Sequence, residues 1–215
     1  MKRFITVLSV MVISFVLSLS STVVAVDLSV EDLLKEFESD VPVNSSSGDS
    51  NVKQAVTDDG YTIKEIYEDI NAYPEDESNY KKILGVFAKN NQKGIKVFVD
   101  GNLLDFSKYN NVEPVIIEDR TLVPIRALSE AMGAEVDYDN GVITIDLGGD
   151  TIVLNVGSKH ATINEKSATM DVAATIVDGR TLIPLRFVSQ NFGKEVGWYP
   201  NSSVGVNVIS VFEKQ

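Results

Sequence analysis

Two arginines open the search for chemistry. Arg126 ends the string Arg-Thr-Leu-Val-Pro-Ile-Arg, and Arg186 ends Arg-Thr-Leu-Ile-Pro-Leu-Arg sixty residues later. A guanidinium offers a planar fork of N–H donors to phosphate or carboxylate. The pair is therefore a candidate anion site, for the phosphate of a teichoic polymer or for an acidic sugar. The competing reading is structural. A cation in the first turn of a helix opposes the helix dipole and needs a compensating carboxylate. Glu130 stands four residues after Arg126, but Gln190 takes that place after Arg186. The shared carboxylates Glu135 and Glu195 are the expected partners, tying helix to sheet. Duplicated residues most simply report a duplicated fold, so the ion pair is the leading expectation. Arg120 and Arg180, beside a turn, read the same way.

Aromatic residues suggest a second chemistry, stacking on sugar rings. Tyr138 and Trp198 occupy equivalent positions, each two residues after a valine on its strand. Alternation puts each on the valine's face, which is expected to be core. Tyr199 points the other way and is the surface candidate. The binding residues expected are thus Arg126, Arg186 and Tyr199. Asp137, Asp139, Asp146 and Asp150 lack the spacing and terminal glutamate of a calcium loop and read as hairpin residues. His160 has no cysteine or second histidine to share a metal with, and reads as an exposed side chain. No nucleophile elbow, zinc-protease helix, phosphate loop or dinucleotide fingerprint occurs. No catalytic residue, metal ligand or cofactor is assigned.

The elements that must position these residues repeat. Residues 120–139 and 180–199 are identical at nine of twenty positions at an offset of 60, which chance does not produce. Ahead of them, Asp100-Gly101 between apolar runs marks a hairpin from Ile95 to Phe106, and Asn140-Gly141 marks another. Val115 to Val123 reads as an extended run kinked at Glu118-Asp119, and Thr175 to Ile183 as its counterpart kinked at Asp178-Gly179. A short helix follows each, entered at Pro124 or Pro184. Ile125, Leu128 and Met132 share one face, as do Leu185, Val188 and Phe192. Gly133 and Gly193 are placed to end these helices in a left-handed residue. A helix this short cannot make a domain. A curled antiparallel sheet wrapped on it would bury its apolar stripe. The expected fold class is α+β: a duplicated unit of antiparallel strands around a short helix, in repeats of about 95–147 and 150–212.

Composition sets the limits. The chain has 19 Lys plus Arg, 31 Asp plus Glu, one His and no Cys among 215 residues, for a net charge of -12. Such acidity argues against nucleic-acid binding, which needs a basic patch. Without cysteine there are no disulfides, thiolate metal sites or thiol nucleophiles. Lys2 and Arg3, an uncharged apolar stretch and Val23-Val24-Ala25 form a signal peptide over residues 1–25. The stretch Phe4 to Val26 is also long enough to remain as an anchor, but its Ser-rich last third favours cleavage. After cleavage no span remains. Residues 26–60 read as an acidic linker with a short helix at Ser29–Glu38. Residues 61–92 carry helical apolar spacing twice: Ile63, Ile66, Tyr67, Ile70, then Tyr80, Ile83, Leu84, Phe87. These amphipathic helices are expected either to dock on something or to form a partner-binding arm. Residues 93–215 form the main domain.

Over residues 93–212, the stretch from Val97-Phe98-Val99-Asp100-Gly101 through the two Arg-Thr-Leu cores, each followed by its glycine, resembles the copper amine oxidase N-terminal-like domain family. That family is similar to the small first domain of certain bacterial amine oxidases. It occurs in secreted and surface proteins of Gram-positive bacteria that are not oxidases. The resemblance implies an antiparallel sheet curled around a helix. It does not carry the oxidase chemistry, which takes three histidines for copper and a tyrosine-derived quinone. Here only His160 is present, and Asn79-Tyr80 is followed by Lys81. The expectation is a secreted, non-catalytic module of the cell surface or envelope with a structural or binding role. A cell-wall polymer or another surface protein is its possible partner. The alternative is a ligand-binding protein for an anionic envelope polymer or small molecule.

Overall fold

Two helices begin the residues that the computed structural model describes, 60–214. The signal segment 1–25, the Ser29–Glu38 helix and all but the last residue of the 26–60 linker lie outside them. Helix α1 (Ile63–Ala72) starts at a capping box. Glu65 N–H donates to Thr62 Oγ1 at 3.2 Å, and Thr62 N–H donates to Glu65 Oε2 at 2.8 Å. Helix α2 (Glu77–Lys89) is capped by Asp76, which accepts from Ser78 N–H at 2.8 Å. Helices of 10 and 13 residues are marginal alone in water. Here Ile66, Ile70, Tyr80 and Ile83 are all fully buried. At about 1.5–3 kcal/mol for each such side chain, docking outweighs what propensity lacks.

The helices dock on a sheet of four strands ordered β12-β13-β1-β2: β1 (Gly94–Val99), β2 (Asn102–Leu103), β12 (Lys194–Asn201) and β13 (Val206–Glu213). Phe98, Val206 and Val208 face the helices, while Val97, Val99, Ile209 and Val211 face the central core. The sheet is thus covered on both sides, and residues 61–92 share a core with the domain they precede. Gly101, in the β1–β2 turn, shows how close they come. A Cβ there would lie 2.8 Å from Asn71 Cα and 2.9 Å from the Ile70 carbonyl. The all-antiparallel expectation needs one correction: β1 runs parallel to β13.

A second sheet is ordered β10-β11-β4-β3: β3 (Val115–Ile117), β4 (Arg120–Pro124), β10 (Thr175–Val177) and β11 (Arg180–Pro184). The expected kinks are full reversals. Glu118 and Asp119 both have positive φ, as do Asp178 and Gly179, and each pair is the two-residue turn of a hairpin. β4 and β11 pair with Leu122 opposite Pro184, Val123 opposite Ile183 and Pro124 opposite Leu182. Exchanging each residue for the one sixty away leaves this register unchanged, so a local two-fold axis passes through the Val123–Ile183 pair. Val112, Leu122, Val172 and Leu182 form a small cluster obeying the same relation.

Each central strand runs into a short helix, α3 (Ile125–Ala131) or α4 (Leu185–Asn191). The prolines stand just outside the helices, as N-caps ending the strands, rather than in the first turn. Gly133 closes α3 with φ of 78°. The amides of Gly133 and Ala134 donate to Glu130 and Ser129 carbonyls, a Schellman pair. The third sheet has five antiparallel strands in order: β5 (Glu135–Asp139), β6 (Val142–Leu147), β7 (Asp150–Asn155), β8 (His160–Ile163) and β9 (Lys166–Thr169). Its Ile143, Ile145, Ile152 and Leu154 meet Leu128 and Val188 of the two helices in the largest core. The architecture is α+β, as the sequence predicts. No helix among the described residues is long and apolar enough to cross a membrane.

Candidate functional site

Arg126 and Arg186 sit in the first turns of α3 and α4. Their neighbours Ile125, Ala127, Leu128, Leu185 and Val188 turn inward, which leaves both guanidinium groups exposed. Neither has an ion-pair partner among the described residues. The expected structural pairs with Glu135 and Glu195 do not form; Glu195 lies 4.0 Å from Lys214 instead. Glu130 serves Tyr109, whose hydroxyl donates to Glu130 Oε2 at 2.7 Å. Burial raises the Tyr109 hydroxyl above the usual phenol range and the Glu130 bond adds to this, while nearby Arg126 acts the other way.

Tyr199 is the larger correction. It is 6% exposed, beneath the helices rather than in solvent. Its ring stacks on Tyr80 with centroids 5.3 Å apart and planes 10° from parallel, and Tyr80 meets Phe98 edge-on at 5.5 Å. Burial pushes the Tyr199 and Tyr80 hydroxyls up in pKa. Gly197 allows this packing, since a Cβ there would lie 2.5 Å from both the Tyr199 hydroxyl and Ser210 Oγ. The strands alternate as expected, but the exposure of the rings is the opposite of the expectation. Trp198 is 38% exposed and Tyr138 48%, although Val196 and Val136 on the same strand faces pack on the core. Both rings lie opposite buried core residues, Ile209 and Ile143, but on the edge strands β12 and β5, where no further strand covers their flank.

A cleft of about 560 Å³ opens beside α4. The β3–β4 hairpin forms one wall with Ile116 and Arg120. Arg186, Gln190 and Trp198 form the other. Asp171 lies at its edge and holds Arg120 Nε at 2.7 Å. The cleft thus combines an exposed indole, a paired arginine and an arginine with no ion-pair partner among the described residues. Ile116, 52% exposed, adds an apolar surface. Sequence reasoning missed Trp198, Arg120 and Gln190 as a group, because the turn bringing the β3–β4 hairpin to α4 was read as a kink. A second hollow, of about 620 Å³, lies between the start of α2 and β12. Lys194 on its wall is already engaged, by Asp100 at 2.8 Å and Glu213 at 2.7 Å.

Against known families, residues 98–205 match the copper amine oxidase N-terminal domain, just over half of the 215 residues. The chain belongs to that family. No curated protein matches it. The copper amine oxidase N-terminal domain is a non-catalytic accessory domain of those enzymes. The matched range begins at Phe98, so helices α1 and α2 lie outside it while packing on its outer sheet.

The residues of this copper amine oxidase N-terminal domain do not fit a copper centre. Among the described residues, no three histidine, cysteine, aspartate or glutamate side chains converge. His160 is exposed at the start of β8. Three of the four aspartates considered for calcium are spent locally. Asp139 accepts from Asn140 Nδ2 at 2.8 Å, Asp150 from Asn164 Nδ2 at 2.7 Å, and Asp146 from the Thr151 hydroxyl.

Proposed function

We propose that the chain is an exported, non-catalytic module of the cell envelope, with a rigid frame and a binding site in the cleft beside α4. The signal segment supports export, and the lack of cysteine leaves stability to packing alone. The observation that carries a binding role is Arg186. It is an exposed cation with no ion-pair partner among the described residues, in a cleft it shares with a half-exposed tryptophan.

The second reading is a ligand-binding protein for an anionic envelope polymer. It is favoured by the exposure of both Arg126 and Arg186 on matching helix turns.

The test is co-sedimentation of the exported chain, Val26 onward, with purified cell-wall sacculi, beside Arg186→Ala and Trp198→Ala. Truncating residues 61–92 is not a clean control, because it uncovers Tyr199 and Phe98. Sedimentation lost in the variants supports the reading. A wild-type chain that stays in solution leaves the module a structural spacer.

A further inference from the structure

At the offset of sixty, cleft residues from the second segment have counterparts in the first, while Ile116 to Thr121, which come from the first, have theirs in the second. Gln190 corresponds to Glu130 and Trp198 to Tyr138; three residues ahead of the matching pair Val112 and Val172, the same offset sets Thr169, at the end of β9, against Tyr109, at the end of a 3-10 turn. In the first segment Tyr109 lies against α3, with its hydroxyl held by Glu130 at 2.7 Å. In the second, the short exposed side chain of Thr169 lines the cleft beside Gln190. One segment therefore supplies its own hydroxyl-bearing six-membered ring where the other leaves room for one.

We infer that the cleft binds a neutral glycan, with one pyranose ring standing where Tyr109 stands in the first segment. This rests on the reading of the cleft as a binding site. Trp198 offers the flat apolar face on which a sugar ring stacks. Gln190, Thr121, Thr169 and Arg186 surround it with donors and acceptors. A single phenol hydroxyl uses one of these, whereas a pyranose carries enough hydroxyls to engage several. The volume, about 560 Å³, accommodates a short oligosaccharide. Charge selects the neutral class. Arg120 and Arg186 are balanced in the lining by Asp119 and Asp171, and a chain of net charge -12 repels polyanions.

Trp198 is the one tryptophan, so its fluorescence reports on the cleft directly. The full exported chain is titrated with four probes: a β-1,4-linked glucose tetramer, an N-acetylglucosamine tetramer, a galacturonate tetramer and N-acetyl-tyrosinamide. At least one neutral tetramer is expected to shift the emission saturably, with one site by calorimetry. Thr169→Tyr installs the first segment's ring and is expected to weaken binding about tenfold or more. Thr169 is exposed on the edge strand β9, so thermal stability should not change. Gln190→Ala provides a second variant that weakens binding without filling the cleft. Tyr109→Thr is expected to raise the stoichiometry from one site to two.

The inference is overturned if neither neutral tetramer binds, or if Thr169→Tyr binds as the wild type does. It is also overturned if galacturonate binds more tightly than both neutral tetramers, which makes charge the determinant. Binding of the tyrosine amide alone makes the ligand an aromatic side chain of a protein and overturns it too. Sedimentation with sacculi that survives Thr169→Tyr while no saccharide binds would retain the envelope reading and remove only the glycan.

Discussion

Strands β5 and β12 descend from their helices with related sequences, Glu-Val-Asp-Tyr-Asp and Glu-Val-Gly-Trp-Tyr, yet meet different surroundings. The outer face of β5 carries Asp137 and Asp139 and lies in solvent. The outer face of β12 carries Gly197 and Tyr199 and lies under α1 and α2. At the head of each strand, exposure does not decide: Ala134 and Lys194 are both buried. The scaffold tolerates either face, and the residues pointing outward determine whether helices can settle there. The helical arm is thus specified by a few positions on β12 as much as by its own amphipathic stripe. Exchanging residues between the two strands tests this directly.

The largest effect is expected from Tyr199→Asp, which gives β12 the β5 residue. It removes the ring stacked on Tyr80 and places a carboxylate beneath two helices. Loss of a buried aromatic costs about 3–5 kcal/mol, and an unpaired buried charge adds to that. The arm should detach while the central core persists. Limited proteolysis would then cut within residues 61–92 and spare residues 93–214. The reciprocal Asp139→Tyr should leave stability almost unchanged, since no helix covers that face. Equal effects of the two changes would refute the asymmetry.

Lys194→Ala, again the β5-side residue, comes next. The lysine side chain is 4% exposed, and its partners Asp100 and Glu213 are 38% and 74% exposed. Burial alone would lower its pKa, but the hydrogen bonds to both carboxylates outweigh burial and hold it above the usual lysine range. The carboxylates can regain water, so the loss is about 1–2 kcal/mol rather than that of a sealed pair. Because the folded pKa is raised, the contribution is fully present below the unfolded lysine value, about 10.4. It fades as pH rises through the folded value. Denaturant melts of wild type and variant should therefore converge at strongly alkaline pH.

Arg126→Ala and Arg186→Ala are expected to shift stability by less than about 0.5 kcal/mol, as for other exposed side chains without partners. A larger loss in thermal melts of either variant would restore the ion-pair reading that the exposed guanidinium groups displace.

How far the sequence reveals all this depends on the element. The Asp100-Gly101 and Asn140-Gly141 hairpins are legible because both residues of such turns take positive φ, which these pairs favour. Glu118-Asp119 makes the same kind of turn without glycine, so its sequence hides a reversal, and with it the wall of the cleft. The helical stripes of α1 and α2 are plain, but their docking face is not. The clue lay in the replacement of Asp137 and Asp139 by Gly197 and Tyr199, which is what a covered face requires. The arginines were misread because similarity explains why a residue recurs without saying whether it faces a carboxylate or solvent.

The smallest expected effect contrasts the arm with helices α3 and α4. Helices α3 and α4 begin at prolines with no side-chain cap. Helices α1 and α2 begin at hydrogen bonds involving carboxylates. The Thr62 amide holds the Glu65 carboxyl below its usual range, with the Thr62 hydroxyl assisting. The Ser78 hydroxyl and then its amide do the same for Asp76. A lowered carboxyl pKa gives stability that is present above the unfolded value and lost as pH falls through the folded one. The window thus opens near pH 4 and extends below it. Amide exchange in α1 and α2 should accelerate there before exchange in α3 and α4. In Asp76→Asn the α2 part of this acid step should disappear, because asparagine caps a helix without titrating. An arm that keeps its protection below pH 3 would show that the Tyr80 and Tyr199 packing holds it without its caps.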